Sequence, residues 1–174
     1  MGKNGFRLST LDVVLMGLGA AMYAVFAAVT YFIPIAGMSL RPAIAIVTFF
    51  GAAFGPHVGF VAGAIGNLLC DFTWGEFWWE WDVGVGIIGL ISGLWWLKNK
   101  GNYEKGIDYA MAAILSVIGS FVGCFFAGFV DVAMGVPFEV AIYAWAFPGA
   151  ASDAIFGLIL TPALLKAYQA FKLR

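Results

Sequence analysis

Charge is what this chain has least of. Lys, Arg, Asp and Glu together make only 11% of the residues, whereas 63% are hydrophobic; an ordinary soluble domain carries about 25% charged residues. So little charge excludes a water-facing surface all round and predicts an all-α integral membrane protein. With a net charge of −1 and no cluster of basic residues, nucleic acid is not an expected partner. Cysteine is nearly absent too: Cys70 and Cys124 stand alone, with no C-x-x-C spacing for a metal or a dithiol, so each reads as a small apolar filler and no metal is expected. The single histidine, His57, falls in a predicted turn away from the acidic residues, which leaves no His–carboxylate pair in the reading. Motifs of the G-x-S-x-G, H-E-x-x-H and G-x-x-x-x-G-K-[ST] type are missing. The chain is therefore not expected to be an enzyme, and any uphill transport must draw on an ion gradient or another subunit. Span centres nearly free of charge, and no convincing internal repeat, argue against a gradient-driven carrier.

What is present is a succession of apolar segments. Six spans are predicted, at about 11–33, 42–54, 57–70, 83–97, 107–133 and 149–171, in one domain covering 1–174 and forming a compact bundle. The polar start MGKNGFRLST has no small-residue cleavage pattern, so the first apolar segment is read as a retained helix. Ser9 or Thr10 can cap it, Asp12 suits its first turn, and Pro34 and Gly37 stop it. Ala20, Ala24 and Ala28 recur every fourth residue on one ridge, a spacing that admits a close helix neighbour, either inside the bundle or on a partner. Residues 42–70 carry no charge when His57 is neutral. As one helix they would reach about 43 Å, beyond a hydrocarbon core of about 30 Å, so Gly55-Pro56 is read as a tight turn between two short spans. Gly84, Gly86, Gly89 and Gly93 offer close contacts in the fourth span. Trp95 and Trp96 beside Lys98 and Lys100 have the pattern of interfacial anchors. Residues 134–147, fenced by Pro137 and Pro148, are expected to form a separate interfacial segment, and Pro162 a kink in the last span.

With six spans and both termini in the cytoplasm, Lys3, Arg7, Lys98, Lys100, Lys105, Lys166, Lys172 and Arg174 all lie inside, as the positive-inside rule requires. Arg41 alone among the cations lies outside, together with Asp71, Glu76, Glu80, Asp82, Asp131, Glu139 and Asp153. The connector 72–81 holds Trp74, Trp78, Trp79 and Trp81. It reads either as a lid over a ring-bearing ligand or as an interfacial aromatic belt. The candidate substrate-binding residues are therefore Arg41, Asn67, Asp71, Trp74, Trp78, Trp79, Trp81, Asp82, Asp131, Trp145 and Asp153. Arg41 has two readings, a contact to ligand or a structural pair with Asp71 or Asp153.

Three features together resemble a known family: the alanine ridge, the run RPAIAIVTFFGAAFGPHVGFVAGAIGNLLCD, and the aromatic connector leading into WDVGVGIIGLISG. Their most specific part is F-G-P-x-x-G-x-x-x-G-x-x-x-x-L-L from Phe54 to Leu69. The chain resembles the substrate-binding S components of energy-coupling factor (ECF) vitamin transporters. The resemblance implies a prokaryotic plasma-membrane protein that holds a vitamin near its outer face. It also implies that Ala20, Ala24 and Ala28 contact a transmembrane T component driven by two ATPases, that ATP is used only by those partners, and that no cofactor is covalently bound. Cobalamin, a pyrimidine or pyridoxine-like vitamin and riboflavin are the candidate ligands, with Cys70 a conceivable cobalt ligand in the first case. A stand-alone facilitator and a structural membrane subunit that binds nothing are the alternatives.

Overall fold

A backbone withdrawn from water must satisfy its own N–H and C=O groups, and for one segment of chain the helix does so. The computed structural model, which describes residues 8–30, 34–35, 38–75 and 77–172, is accordingly almost entirely helical. Helix α1 spans Thr10–Thr30. Ser9 caps it reciprocally, its Oγ accepting from the Asp12 N–H at 3.1 Å while Asp12 Oδ2 accepts from the Ser9 N–H at 2.8 Å. The predicted tail of this span at 31–33, and Gly37, lie outside the described residues, as do Lys3, Arg7, Glu76 and Arg174. A two-residue antiparallel pairing, β1 (Pro34–Ile35) with β2 (Met38–Ser39), follows.

Helices α2 (Ile44–Phe54) and α3 (Pro56–Trp74) are separated by Gly55 alone, at φ 115°, with Pro56 opening α3, so the predicted Gly-Pro turn is present. Helix α4 spans Trp79–Ser92 and the single-turn α5 spans Trp96–Asn99. The long connector expected at 72–81 is therefore corrected. Helix α3 continues four residues past Cys70, α4 begins at Trp79, and only 75–78 join them. Gly75, left-handed at φ 74°, makes the sharp turn, and the Trp78 N–H donates to Asp71 Oδ2 at 2.8 Å across it.

Helix α6 spans Gly106–Ala133, a π-helical turn covers Glu139–Ala146, and α7 spans Phe147–Lys172. This corrects a second expectation, because 134–147 is not fenced from the last helix. The π turn runs straight into α7, and the Phe147 N–H reaches back five residues to the Ile142 carbonyl. That wider register accommodates Pro148, which has no N–H to give and would clash with an i−4 carbonyl. Pro162 lies inside α7 as expected.

Among the described residues six helices exceed ten residues, and they follow the order of the predicted apolar segments. Of these, α1, α6 and the joined helix 139–172 are long and apolar enough to cross a membrane, and α2 is a shorter apolar helix. Helix α1 packs on α3, α3 on α4, α4 on α6 and α6 on α7, with α2 filling the space between α3, α4 and α7. Glycines set the closest approaches: a Cβ at Gly89 would run into the Gly59 carbonyl, and one at Gly123 into that of Gly84. The alanine ridge is split by this packing. Ala20 is only 2% exposed, against Gly66 of α3, whereas Ala24 and Ala28 remain half-buried.

One end of the bundle gathers the start of α1, the α2–α3 turn, α5 and the end of α7. Here Tyr103 donates to the Ala52 carbonyl at 2.8 Å and Gln169 to that of Gly101 at 2.7 Å; burial pushes the Tyr103 hydroxyl up to about 12. Lys98 sits 4.5 Å over the Trp95 ring and Lys100 4.7 Å over that of Trp96. His57, read from sequence as lacking a carboxylate neighbour, lies 3.7 Å from Asp12 Oδ1 at this end. Helix packing, which brings the α2–α3 turn beside the start of α1, makes that pair.

Candidate functional site

The opposite end collects most of the polar residues singled out above. Tyr23 comes from the second half of α1, Arg41 from the segment before α2, Asn67 and Asp71 from the last turns of α3. Asp82 comes from the first turn of α4, Asp131 from the last turn of α6, and Asp153 from the second turn of α7. A helix can carry such groups near its end because a short side chain there reaches neighbours or water without exposing charge to hydrocarbon.

Two sub-clusters form. The inner one is a hydrogen-bonded knot centred on Arg41. Its Nη2 donates to the Tyr23 hydroxyl at 3.2 Å and to Asn67 Oδ1 at 3.4 Å, and Tyr23 itself donates to Asn67 Oδ1 at 3.0 Å. Asn67 Nδ2 passes the chain on to Asp82 Oδ1 at 2.9 Å. On its other side Arg41 Nε lies 3.8 Å from Asp153 Oδ1, and Cys124 Sγ contacts Asp153 Oδ2 at 3.7 Å. Asp153 is fully buried, so the guanidinium beside it neutralises a charge that solvent does not reach. Of the two carboxylates weighed for Arg41, Asp153 is the one at ion-pair distance, while Asp71 ties the end of α3 to Trp78.

The outer sub-cluster is aromatic and acidic. The Trp81 indole donates to Asp131 Oδ2 at 3.0 Å, and the Trp78 and Trp145 rings meet edge to face at 6.0 Å between centroids. Phe77, Trp78, Trp79, Glu80 and Met134 line a groove of about 390 Å³, within the range of small-molecule sites of about 300–1,000 Å³. Trp74 closes α3, and its side chain lies outside the described residues. Trp79 and Trp81 stand on the first turn of α4, not on a loop.

Sequence reasoning missed Tyr23 and Cys124 as members of this end, and placed Glu80 there without counting it among the candidate binding residues. Tyr23 lies three residues beyond Ala20 on the ridge already noted, and a phenol within an otherwise apolar span was the available signal. Glu80 was read only as part of an acidic rim, although it is 1% exposed. Cys70 is buried, and its thiol contacts the Ala24 carbonyl at 3.8 Å, as a packed filler would.

The arrangement offers an aromatic-walled groove at the same end of the bundle as a buried polar knot, which is a means of holding a molecule. Comparison with known proteins agrees in kind. The family described as ECF-type riboflavin transporter, S component, matches residues 7–170. A UPF0397 protein of Vibrio atlanticus is 33% identical over 132 residues, covering 72% of this chain and 72% of its own length. A UPF0397 protein of Aliivibrio salmonicida is 34% identical over the same shares.

Proposed function

Because the chain belongs to the ECF-type riboflavin transporter S component family, we propose that it is the substrate-binding subunit of an ECF importer that captures a ring-bearing vitamin at the outer face of a prokaryotic plasma membrane. Six spans with both termini in the cytoplasm put the Lys-rich end inside and the aromatic groove outside, in keeping with the positive-inside rule. The observation that carries the reading is the convergence, from six separate stretches of chain, of Tyr23, Arg41, Asn67, Asp82, Asp131 and Asp153 at the end that also holds Trp78, Trp79 and Trp145. Substrate capture belongs to this end, and the residues in play are those of the knot together with Asp71, Trp81 and the groove walls. Catalysis has no place in the reading: a T component and two ATPases supply the ATP-driven step, and this chain needs no cofactor of its own. The T component docks on the face of α1 where Ala24 and Ala28 stay half-open beside exposed Val25 and Val29; Ala20 contributes by holding α1 against α3.

Intrinsic tryptophan fluorescence of the purified protein, titrated with riboflavin, cobalamin, pyridoxine and pyridoxamine, tests capture directly. Saturable quenching by one of them at micromolar concentration or below is expected. Absence of saturable quenching by all four would remove the substrate-binding reading.

A further inference from the structure

The Glu80 and Asp131 carboxyls face each other within hydrogen-bond contact. Both residues are buried, at 1% and 0% exposure, and neither Glu80 Oε1 nor Asp131 Oδ1 meets a donor from the protein. The other oxygen of Asp131 takes the Trp81 indole N–H. Asp82, the next nearest charge on α4, is also an acid and is engaged by Asn67. The ion pairs among the described residues are Arg41–Asp153 and His57–Asp12, so no described cation pairs with Glu80 or Asp131. Glu80 is at the same time the polar member of the groove otherwise walled by Phe77, Trp78, Trp79 and Met134.

Two facing carboxyls without a donor need a proton or a cation between them. A pair that shares a single proton keeps a net negative charge, set behind indole faces that themselves attract cations. We propose that the groove takes a planar aromatic ring bearing a protonated amine or amidine, with the ring against Trp78 and Trp79 and the cationic N–H groups directed at Glu80, the member of the carboxyl pair that lines the groove. An uncharged ring would leave the pair's charge uncompensated in a place that water barely reaches, whereas an ammonium or amidinium supplies the missing donors and the missing charge together. This assignment of substrate class rests on the substrate-capture reading above and narrows it.

The test is a matched pair of probes sharing one ring: pyridoxamine, which carries an aminomethyl cation, and pyridoxine, which carries a hydroxymethyl group at the same position. Tryptophan quenching of the full chain in detergent should show pyridoxamine binding at least about tenfold more tightly than pyridoxine. In Glu80→Gln, and independently in Asp131→Asn, the ratio should fall to about one, with folding verified by circular dichroism so that one intact variant suffices. Equal affinities in the native protein, or a preference that survives in a folded variant of either residue, would overturn the assignment and leave the pair satisfied by a proton alone. Tight riboflavin binding with no preference for the cationic probe would likewise overturn it while leaving substrate capture intact; binding of no probe at all removes both.

Discussion

Arg41 Nε lies 3.8 Å from Asp153 Oδ1, and the same guanidinium reaches through Tyr23 and Asn67 toward Asp82. One cation thus serves two carboxylates on helices α4 and α7, which are distant in sequence, and ties this end of the bundle together. Arg41→Ala strands the buried Asp153 and should cost about 3–5 kcal/mol, read as a lower midpoint in denaturant titration of the detergent-solubilised protein. Arg41→Met combined with Asp153→Leu removes both charges and should recover most of that loss. A single Arg41→Ala variant with native stability would show the pair to be solvated.

Tyr23 and Asn67 form the middle of the same knot. Tyr23→Phe deletes one hydroxyl that both donates and accepts, and should cost about 1 kcal/mol, with packing retained. Asn67→Asp sets a carboxylate directly against Asp82 and should be the more damaging change, measured in the same denaturant titration.

The glycine contacts separate by place. Gly89→Ala drives a methyl group into the Gly59 backbone and should destabilise by about 1–3 kcal/mol, because neither helix can yield. Gly17→Ala meets nothing within 4 Å. It should leave the thermal midpoint unchanged or raise it, by up to about 1 kcal/mol in stability.

The tryptophans of the groove are expected to contribute about 0.5–1.5 kcal/mol each through ring contacts. A Trp78→Ala/Trp79→Ala variant should therefore bind its vitamin about tenfold more weakly or worse. Unchanged affinity would assign these rings to an interfacial belt.

Docking of a T component is separable from folding along the alanine ridge. Ala20→Leu presses on Gly66 and should lower stability of the isolated protein, by about 1–3 kcal/mol. Ala28→Trp should leave folding and vitamin binding intact yet abolish co-purification with the T component. Uptake that survives Ala28→Trp would move the docking surface elsewhere.

Hydrophobic composition, the uncharged run broken by Gly55-Pro56, and the cap at Ser9 were enough to read the helical class and the order of six apolar segments from sequence. Each is a local property: backbone groups in an apolar setting must bond within their own segment, and a glycine with positive φ before a proline ends a helix whatever surrounds it. The collection of acids and tryptophans near two connectors was equally legible, because charge avoids span centres. Which residues touch was not. Asp153 and Asp71 are equivalent in sequence as partners for Arg41, and only the packing of α7 against α2 and α6 brings Asp153 to it. Composition likewise gives no sign that Glu80 turns inward to Asp131, that Ala20 faces Gly66 while Ala28 stays half-open, or that a π turn carries the chain smoothly through Pro148. Those outcomes depend on helix rotation and on the approach distances that Gly51, Gly59, Gly84, Gly89 and Gly123 permit between neighbours, and such distances exist only once the helices are assembled.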